Sequence, residues 1–582
     1  MKSETRKCQN CKNEFIIEPD DFGFYEKIKV PPPTFCPECR LQRRLMWRNE
    51  RTFYQRQCDL CKKNIISSFT REQPFPVYCQ KCWWGDDWDP YSFGIDFDFS
   101  KSFFEQFQTL KKKVPILNMQ NDDGIASLNS EYSQDFAFSK NCYLTSAGWY
   151  CDNVMYSYYT CYDKDIADSF VINNSERCYE CFESNRLFDS KYSRLCFDSM
   201  NLSFCYDLRN CQNCFMCTDL RGKNYYIRNR PYTREAYLEE IQKENLNKRE
   251  NLTKCQTELE QMILKFPHRF SQIIKSPLST GNVLVNSKMS KDCFWSGPLE
   301  NCRYMIFIDG AKDSYDINNS GNPNLCYESV TPDNSYNGLF TIYCWKCSFS
   351  LYSYNCHSSN NILGCIGIKH GEYSIFNKKY SAREYEDLKN KIIEHMKSTG
   401  EYGEFFPSYV SPYCYNETLN MDFSPLNKNQ AKKQSFNWRK EKERNYQITC
   451  KKGNVPSDIN KTEEDILNQV IECAHQGTCE HKCSTAFKLI EREFQIYKKM
   501  NIPVPIFCPN CRYYERIMKR NPPKLWHRQC TCLAESSLKA GVQNSTVHFH
   551  GTKHCPNEFE TSYAPDKPEI VYCEKCYQQE VY

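Results

Sequence analysis

The sequence predicts a multidomain, β-rich protein. Tandem zinc-ribbon or treble-clef modules at both termini flank two short-repeat, β-solenoid-like arrays with capping helices. Three observations predict this. Four CxxC pairs open the chain, their pattern returns near the other end, and the stretch between beats in nines. At 582 residues the chain is too long for one core, so several domains follow. They read as a tandem two-zinc module at 1–90, a connecting helix at 91–128 and a cysteine/aromatic array at 129–230. A helical connector at 231–285, a second array at 286–378, a helix and linker at 379–447 and a second two-zinc module at 448–582 complete the chain.

The first module carries Cys8/Cys11, Cys36/Cys39, Cys58/Cys61 and Cys79/Cys82. Two such knuckles brought together give a closed tetrahedron of four cysteines that suits structural Zn²⁺. The natural partition is Cys8, Cys11, Cys36 and Cys39 for one ion and Cys58, Cys61, Cys79 and Cys82 for the next. Interleaved pairing is the alternative. Adding 472 to Cys36, Cys39 and Cys58 lands on Cys508, Cys511 and Cys530. FGFYEKIKVPPPTFC aligns with FQIYKKMNIPVPIFC, and 24 residues separate Cys11 from Cys36, as they do Cys483 from Cys508. The third site therefore reads as Cys479, Cys483, Cys508 and Cys511. SSFTREQPFPVYCQKC aligns with TSYAPDKPEIVYCEKC, which makes Cys555 the counterpart of Cys61. The fourth site reads as Cys530, Cys555, Cys573 and Cys576, with Cys532 competing for the place of Cys530. An insert there carries His548, His550 and His554, either one further ligand or solvated loop residues. About four structural zinc ions are expected.

After Cys39 a helix should begin, its dipole favouring thiolate. Arg40, Arg44 and Arg48 then share one face, and Arg512, Arg516 and Arg520 repeat it. Arg56 and Arg528 match as well. Such a stripe, with Trp47, Phe53, Tyr54 and Trp526 nearby, fits phosphate and base contact, with RNA favoured over DNA and the ribosome as one setting. The competing reading is a solvated face, or pairing with the protein's own acids. With 76 basic and 72 acidic residues, no global field points to nucleic acid.

From 133 the chain reads in nines, with Cys142, Cys151, Cys178, Cys196, Cys205 and Cys214 each starting one. Cys293 and Cys302 keep the beat, as do Cys347, Cys356 and Cys365. Repeats this short must stack to bury a face. Two nines predict an 18-residue coil with cysteine as an internal ladder and aromatics outside. The Gly-Gly-x-Gly-x-Asp turns of calcium-binding nonapeptides are absent, so no calcium is expected. Cys178/Cys181, Cys211/Cys214/Cys217 and Cys344/Cys347 read as packing rather than metal or redox centres. Each array ends in a charged helix, capped near Thr233 or Ser381. Residues 96–113 read as a similar helix and 415–447 as a linker.

FYEKIKVPPPTFCPECR, VYCQKCWWGDDWDP, DFSKSFFEQF, the Tyr-Ser-Ala-Arg-Glu-Tyr array end and FETSYAPDKPEIVYCEKCY carry a resemblance. They resemble a bacterial family of large, cysteine-rich, tandem zinc-ribbon proteins, some of which bear a CaiB/BaiF CoA-transferase label. The resemblance implies zinc modules and adds no catalytic residue. No motif in this chain supports the transferase chemistry.

No Walker A loop, HExxH, GxSxG or dinucleotide-binding glycine pattern is present. His370-Gly371-Glu372 lacks the Pro-Cys-x-x-Cys partner of a zinc deaminase. The N-terminus lacks a signal-peptide core and no run of 18 apolar residues occurs, so a cytoplasmic protein without a membrane span is expected, its 38 cysteines reduced. Two functions follow as expectations: a non-enzymatic zinc protein that binds nucleic acid through its arginines, or a protein-interaction scaffold using the aromatic array faces.

Overall fold

In both arrays nearly every third residue is left-handed. In the first, positive φ recurs at Asp135, Phe138, Asn141, Leu144, Ala147 and Tyr150, and the beat continues to Asp219. In the second it runs through Asp316, Asn319, Asn322, Leu325 and Glu328. Four such corners bring the chain back beside itself. Tyr158 lies beside Phe170 and Lys164 beside Glu176, in parallel pairs twelve residues apart. The second array repeats this register, with Tyr315 beside Tyr327 and Ser348 beside Asn360. The coil is therefore twelve residues long, not the expected eighteen. Nine residues span three corners, which is why cysteine could recur in nines on a coil of twelve.

A left-handed corner costs a non-glycine residue roughly 1–2 kcal/mol, least for Asn and Asp. Ladder hydrogen bonds offset that cost, as where Asn141 N–H donates to Leu128 O at 2.8 Å and Lys140 N–H to Cys151 O at 2.9 Å. The residue directly after each corner points inward, a Ser, Cys or Thr at many corners and an aliphatic such as Val154, Ile166 or Leu187 at others. Ser139 donates to Ala137 O at 2.7 Å and accepts from Cys151 N–H at 3.0 Å. Ser169 makes the same pair of bonds with Ala167 O and Cys181 N–H. Cysteine fills the same role, Cys151 Sγ reaching Thr160 O at 3.2 Å. At Gly148 a Cβ would stand 2.3 Å from the Thr160 carbonyl oxygen, so no larger residue fits.

The computed structural model describes residues 2–121, 127–440, 446–539, 541–542 and 544–582. The chain forms two compact units, each discontinuous: 1–120 with 272–440, and 121–271 with 441–582. In the first unit the N-terminal cysteine module accompanies the second array. It has a hairpin (Glu4–Lys7 with Glu14–Ile17), helices α1 (Pro19–Lys27) and α2 (Pro37–Leu45), and a second hairpin (Tyr54–Gln57 with Asn64–Ser67). Phe24 of α1 stacks on Tyr315 of the array at 3.9 Å, and Tyr25 meets Tyr327 edge-on at 5.5 Å. In the second unit the first array accompanies the C-terminal module. A short hairpin (Ile471–Glu472 with Ala486–Phe487) precedes α3 (Glu491–Met500) and α4 (Pro509–Ile517), and Trp526–Gln529 pairs with Glu558–Thr561. Tyr497 of α3 meets Tyr179 edge-on at 5.5 Å.

Both array ends run into helices capped as expected. Thr233 accepts from Ala236 N–H before Arg234–Lys243, and Ser381 forms a capping box with Glu384 before Ala382–Ser398. The segment expected to be a linker from 415 is packed instead. Tyr415, Asn420 and Ala431 are buried, and short helices span Asn420–Phe423 and Lys428–Lys433; residues 441–445 lie outside the described residues. Among the described residues, no helix is long and apolar enough to cross a membrane.

Candidate metal centres

A cysteine opens α2, α4 and two further helices, Gln80–Trp84 and Glu574–Val581. Cys36, Cys79, Cys508 and Cys573 are N-caps, and the second cysteine of each knuckle lies in the first turn. The helix dipole there favours a negative sulfur. The hairpin tongue before each helix supplies the other sulfurs. Cys8, Cys11, Cys36 and Cys39 come together, as do Cys58, Cys61, Cys79 and Cys82, each set with its sulfurs within 4.8 Å of one another. Interleaved pairing is not what the structure holds. Cys530, Cys555, Cys573 and Cys576 form a third such set, so Cys530 rather than Cys532 stands with them.

The remaining set corrects the expectation. It is Cys473, not Cys479, that joins Cys483, Cys508 and Cys511. The backbone shows why. Cys8 N–H bonds Asn13 O, and Cys36 N–H donates to Cys8 Sγ at 3.3 Å. Cys473 N–H bonds Thr485 O, and Cys508 N–H donates to Cys473 Sγ at 3.2 Å. Cys473 thus occupies the place of Cys8, and the tongue between it and Cys483 has grown. Matching the 24-residue spacing identified Cys483 but could not see an insertion on its far side.

The donor chemistry fits a tetrahedral thiophilic cation. Further N–H···S bonds orient the sulfurs: Cys79 N–H to Cys58 at 3.3 Å, Cys573 N–H to Cys530 at 3.1 Å and Asn10 Nδ2 to Cys39 at 3.3 Å. Without a cation these thiols share protons. Cys39 is held down to about 5, first by its hydrogen bond with Cys36, and the same bond drives Cys36 upward. Cys61, at the tongue tip, is lowered to about 7, chiefly by the backbone N–H of Lys63.

Most array thiols behave oppositely, although hydrogen bonds from Cys214 and Cys205 lower Cys211 to about 7 and Cys217 to about 4. Burial raises Cys142, Cys302, Cys326 and Cys365 to about 12, so they stay protonated and donate to carbonyls. None of the 38 cysteines is in a disulfide.

The arginines turn inward. Arg40 and Arg44 are 1% exposed and Arg48 is fully buried. Arg40 Nε meets Asp316 at 3.0 Å, Arg44 Nη1 meets Asp316 at 2.9 Å, and Arg44 Nε donates to Asn318 at 2.7 Å. Arg48 pairs with Glu50 and donates to Thr331 Oγ1 at 2.7 Å. The second unit repeats the lock. Arg512 meets Asp168 and Glu493, both at 3.1 Å, while Arg516 meets Asp168 at 2.9 Å and Glu180 at 2.8 Å. Arg44 also reaches Glu328 at 3.4 Å, so in each unit the two array acids sit on corners one coil apart, Asp316 with Glu328 and Asp168 with Glu180. Arg56 is buried against Thr70 O and Asp59, Arg528 bonds the carbonyls of Tyr563 and Ala564, and Arg520 lies over the Phe170 ring. Trp47 is buried too. The phosphate-reading stripe expected from these residues is not a continuous surface: Arg40, Arg44, Arg48, Arg56, Arg512 and Arg516 are buried, and Arg520 and Arg528 are half-buried. The sign was legible in the sequence as acids twelve apart, Asp168/Glu180 and Asp316/Glu328, once the coil length is known.

No protein family matches the chain, and no curated protein matches it.

Proposed function

We propose that the protein is a non-enzymatic zinc protein whose modules clamp two β-solenoids into rigid interaction scaffolds. In this reading the treble-clef-like knuckles hold structural zinc, and the cysteine-rich arrays present surfaces to protein partners in a reducing compartment. The observation that carries it is the use of the arginines. Arg40, Arg44, Arg512 and Arg516 fasten module to array inside each unit, which leaves the zinc modules a structural task. Four-sulfur tetrahedra suit Zn²⁺.

Support for the interaction role comes from the first array. Phe138, Tyr150 and Tyr162 stack on successive coils at 5.1 and 5.0 Å, yet are 40%, 49% and 54% exposed. Rings held in a rigid exposed column give contact area at little entropic cost. The nucleic-acid reading is not retained, since the eight arginines offered for it are engaged with protein groups.

The test has two parts. Elemental analysis of the purified full chain should find zinc, and a chelator should lower the unfolding temperature. A folded protein free of metal overturns the zinc reading. A photo-crosslinking residue at Tyr150 in the native host should give discrete protein adducts that a Lys164 control lacks. Equal adducts at both positions, or adducts to RNA alone, overturn the scaffold reading.

A further inference from the structure

The two tongues of the C-terminal module share a peculiarity that the N-terminal ones lack. Residues 1–90 contain no histidine, and the knuckles Cys8/Cys11 and Cys58/Cys61 have only two residues between their cysteines. The C-terminal tongues are longer, and each insertion carries a further cysteine and two histidines that approach the sulfurs there. Between Cys473 and Cys483 stand His475, Cys479 and His481; between Cys530 and Cys555 stand Cys532, His548, His550 and His554, the last bonded through Nε2 to the Cys530 carbonyl oxygen at 2.7 Å.

In the first tongue those three side chains converge on the last sulfur of the four-cysteine set. His475, Cys479, His481 and Cys511 have their donor atoms within 4.8 Å of one another, and Cys479 Sγ stands 3.7 Å from Cys511 Sγ. The Nδ1 atoms of His475 and His481 are buried and bonded to nothing among the described residues. His475 Nε2 faces the Glu515 carboxylate at 3.7 Å, the outer partner that metal-bound imidazoles usually have. Two buried ring nitrogens without partners, beside two sulfurs, are costly unless a cation takes them.

The second tongue arrives at the same arrangement from an unrelated spacing. His548 Nδ1 lies 3.1 Å from Cys532 Sγ, and its Nε2 meets Glu580 at 3.0 Å. His550 Nε2 lies 3.4 Å from Cys576 Sγ, the last sulfur of the other set. Cys576 is also 3.6 Å from Cys555 within its own set.

We propose that each C-terminal centre is dinuclear, two zinc ions joined by a bridging thiolate. Cys511 bridges a Cys473/Cys483/Cys508 ion to a His475/Cys479/His481 ion. Cys576 bridges a Cys530/Cys555/Cys573 ion to a Cys532/His548/His550 ion. Two tetrahedra sharing a vertex need seven donors, and each tongue with its helix supplies five sulfurs and two nitrogens. Five thiolates against two dications leave one net negative charge, less than the two left by four thiolates around one ion.

The inference rests on the zinc reading above, and the experiment separates the two. The full chain is loaded with zinc, passed over a chelating resin to strip weak sites, and analysed for metal. About six ions per chain are expected, against about four for mononuclear centres. His475→Ala with His481→Ala should remove one ion, as should His548→Ala with His550→Ala. Loading with ¹¹³Cd should give two pairs of mutually coupled resonances, one lost in each double variant. Four ions per chain with uncoupled cadmium resonances overturn the bridged centres and leave the zinc reading standing. No metal at all overturns both.

Discussion

Arg44 and Asp316 meet at 2.9 Å with side chains only 1% and 0% exposed, and Asp316 takes Arg40 with its other oxygen. The pair joins a helix that starts on a metal knuckle to a corner of the array 272 residues further along. Deleting one partner of a buried pair costs about 3–5 kcal/mol, because a lone charge remains behind. Arg44→Met and Asp316→Ala should each destabilise the unit by that order. The double variant should fall short of their sum. Chemical denaturation of the full chain, followed by Trp47 and Trp83 fluorescence, measures it. Additivity would mean that the pair is not coupled.

Chelation should act on modules before arrays. Removing metal leaves four thiols packed within 4.8 Å at each knuckle with no cation between them. Array thiols such as Cys151 and Cys181 instead donate to carbonyls of the ladder. Hydrogen exchange in the presence of a chelator should rise first in Pro37–Leu45 and Pro509–Ile517, with the ladders around Cys178 and Cys344 exchanging later. Simultaneous loss throughout would refute that order.

Array cysteines should tolerate serine and refuse bulk. Cys151→Ser keeps a donor for the Thr160 carbonyl and should cost at most about 1.5 kcal/mol. Cys151→Leu overpacks a wall shared with Ser139 and should cost about 1–3 kcal/mol. Thermal unfolding of the two variants ranks them.

Alkali should destabilise the arrays. Cys142, Cys302, Cys326 and Cys365 titrate near 12 in the folded chain, against about 8.5 when unfolded. A raised thiol pKa means the folded state holds the proton more tightly. Its stabilising effect is complete below the unfolded value and is lost as pH climbs from about 8.5 towards 12. Unfolding temperature should therefore fall across that window, and less steeply in Cys302→Ser.

Acid should work through His357. It is buried against Trp83, Trp84 and Trp345, and that burial lowers its pKa to about 3. A depressed histidine supports the fold above its unfolded pKa of about 6.5 and loses that support as pH falls towards 3. His357→Phe should flatten this limb of the stability profile.

Much of this architecture was legible because cysteine spacing is a discrete code. Cys36, Cys39, Cys508 and Cys511 announced their helices, and Thr233 and Ser381 announced theirs. The arrays were legible as arrays but not in pitch, since a nine-residue beat of Cys142, Cys151 and Cys178 samples a three-residue corner step without revealing how many corners close a turn. Cys473 escaped because insertions change spacing while leaving hairpin pairing intact. The arginines escaped for a different reason. The array acids that Arg40, Arg44, Arg512 and Arg516 meet lie hundreds of residues away, and a run of guanidinium is the same in sequence whether it meets phosphate or Asp168.

The discontinuity of the two units imposes a timetable on synthesis. Residues 1–120 belong with 272–440, so Arg44 leaves the ribosome long before Asp316 exists. At about 5–20 residues per second the wait is roughly 15–55 s. During that interval Arg40 and Arg44 stand on a short helix without Asp316, near aromatics such as Phe24 whose stacking partner is also unmade. The first array, by contrast, is finished early and waits for α4, which arrives almost last. A nascent chain of this protein therefore carries unpaired arginines and an unstacked aromatic at its front for nearly half of its translation, and it needs shelter over that window.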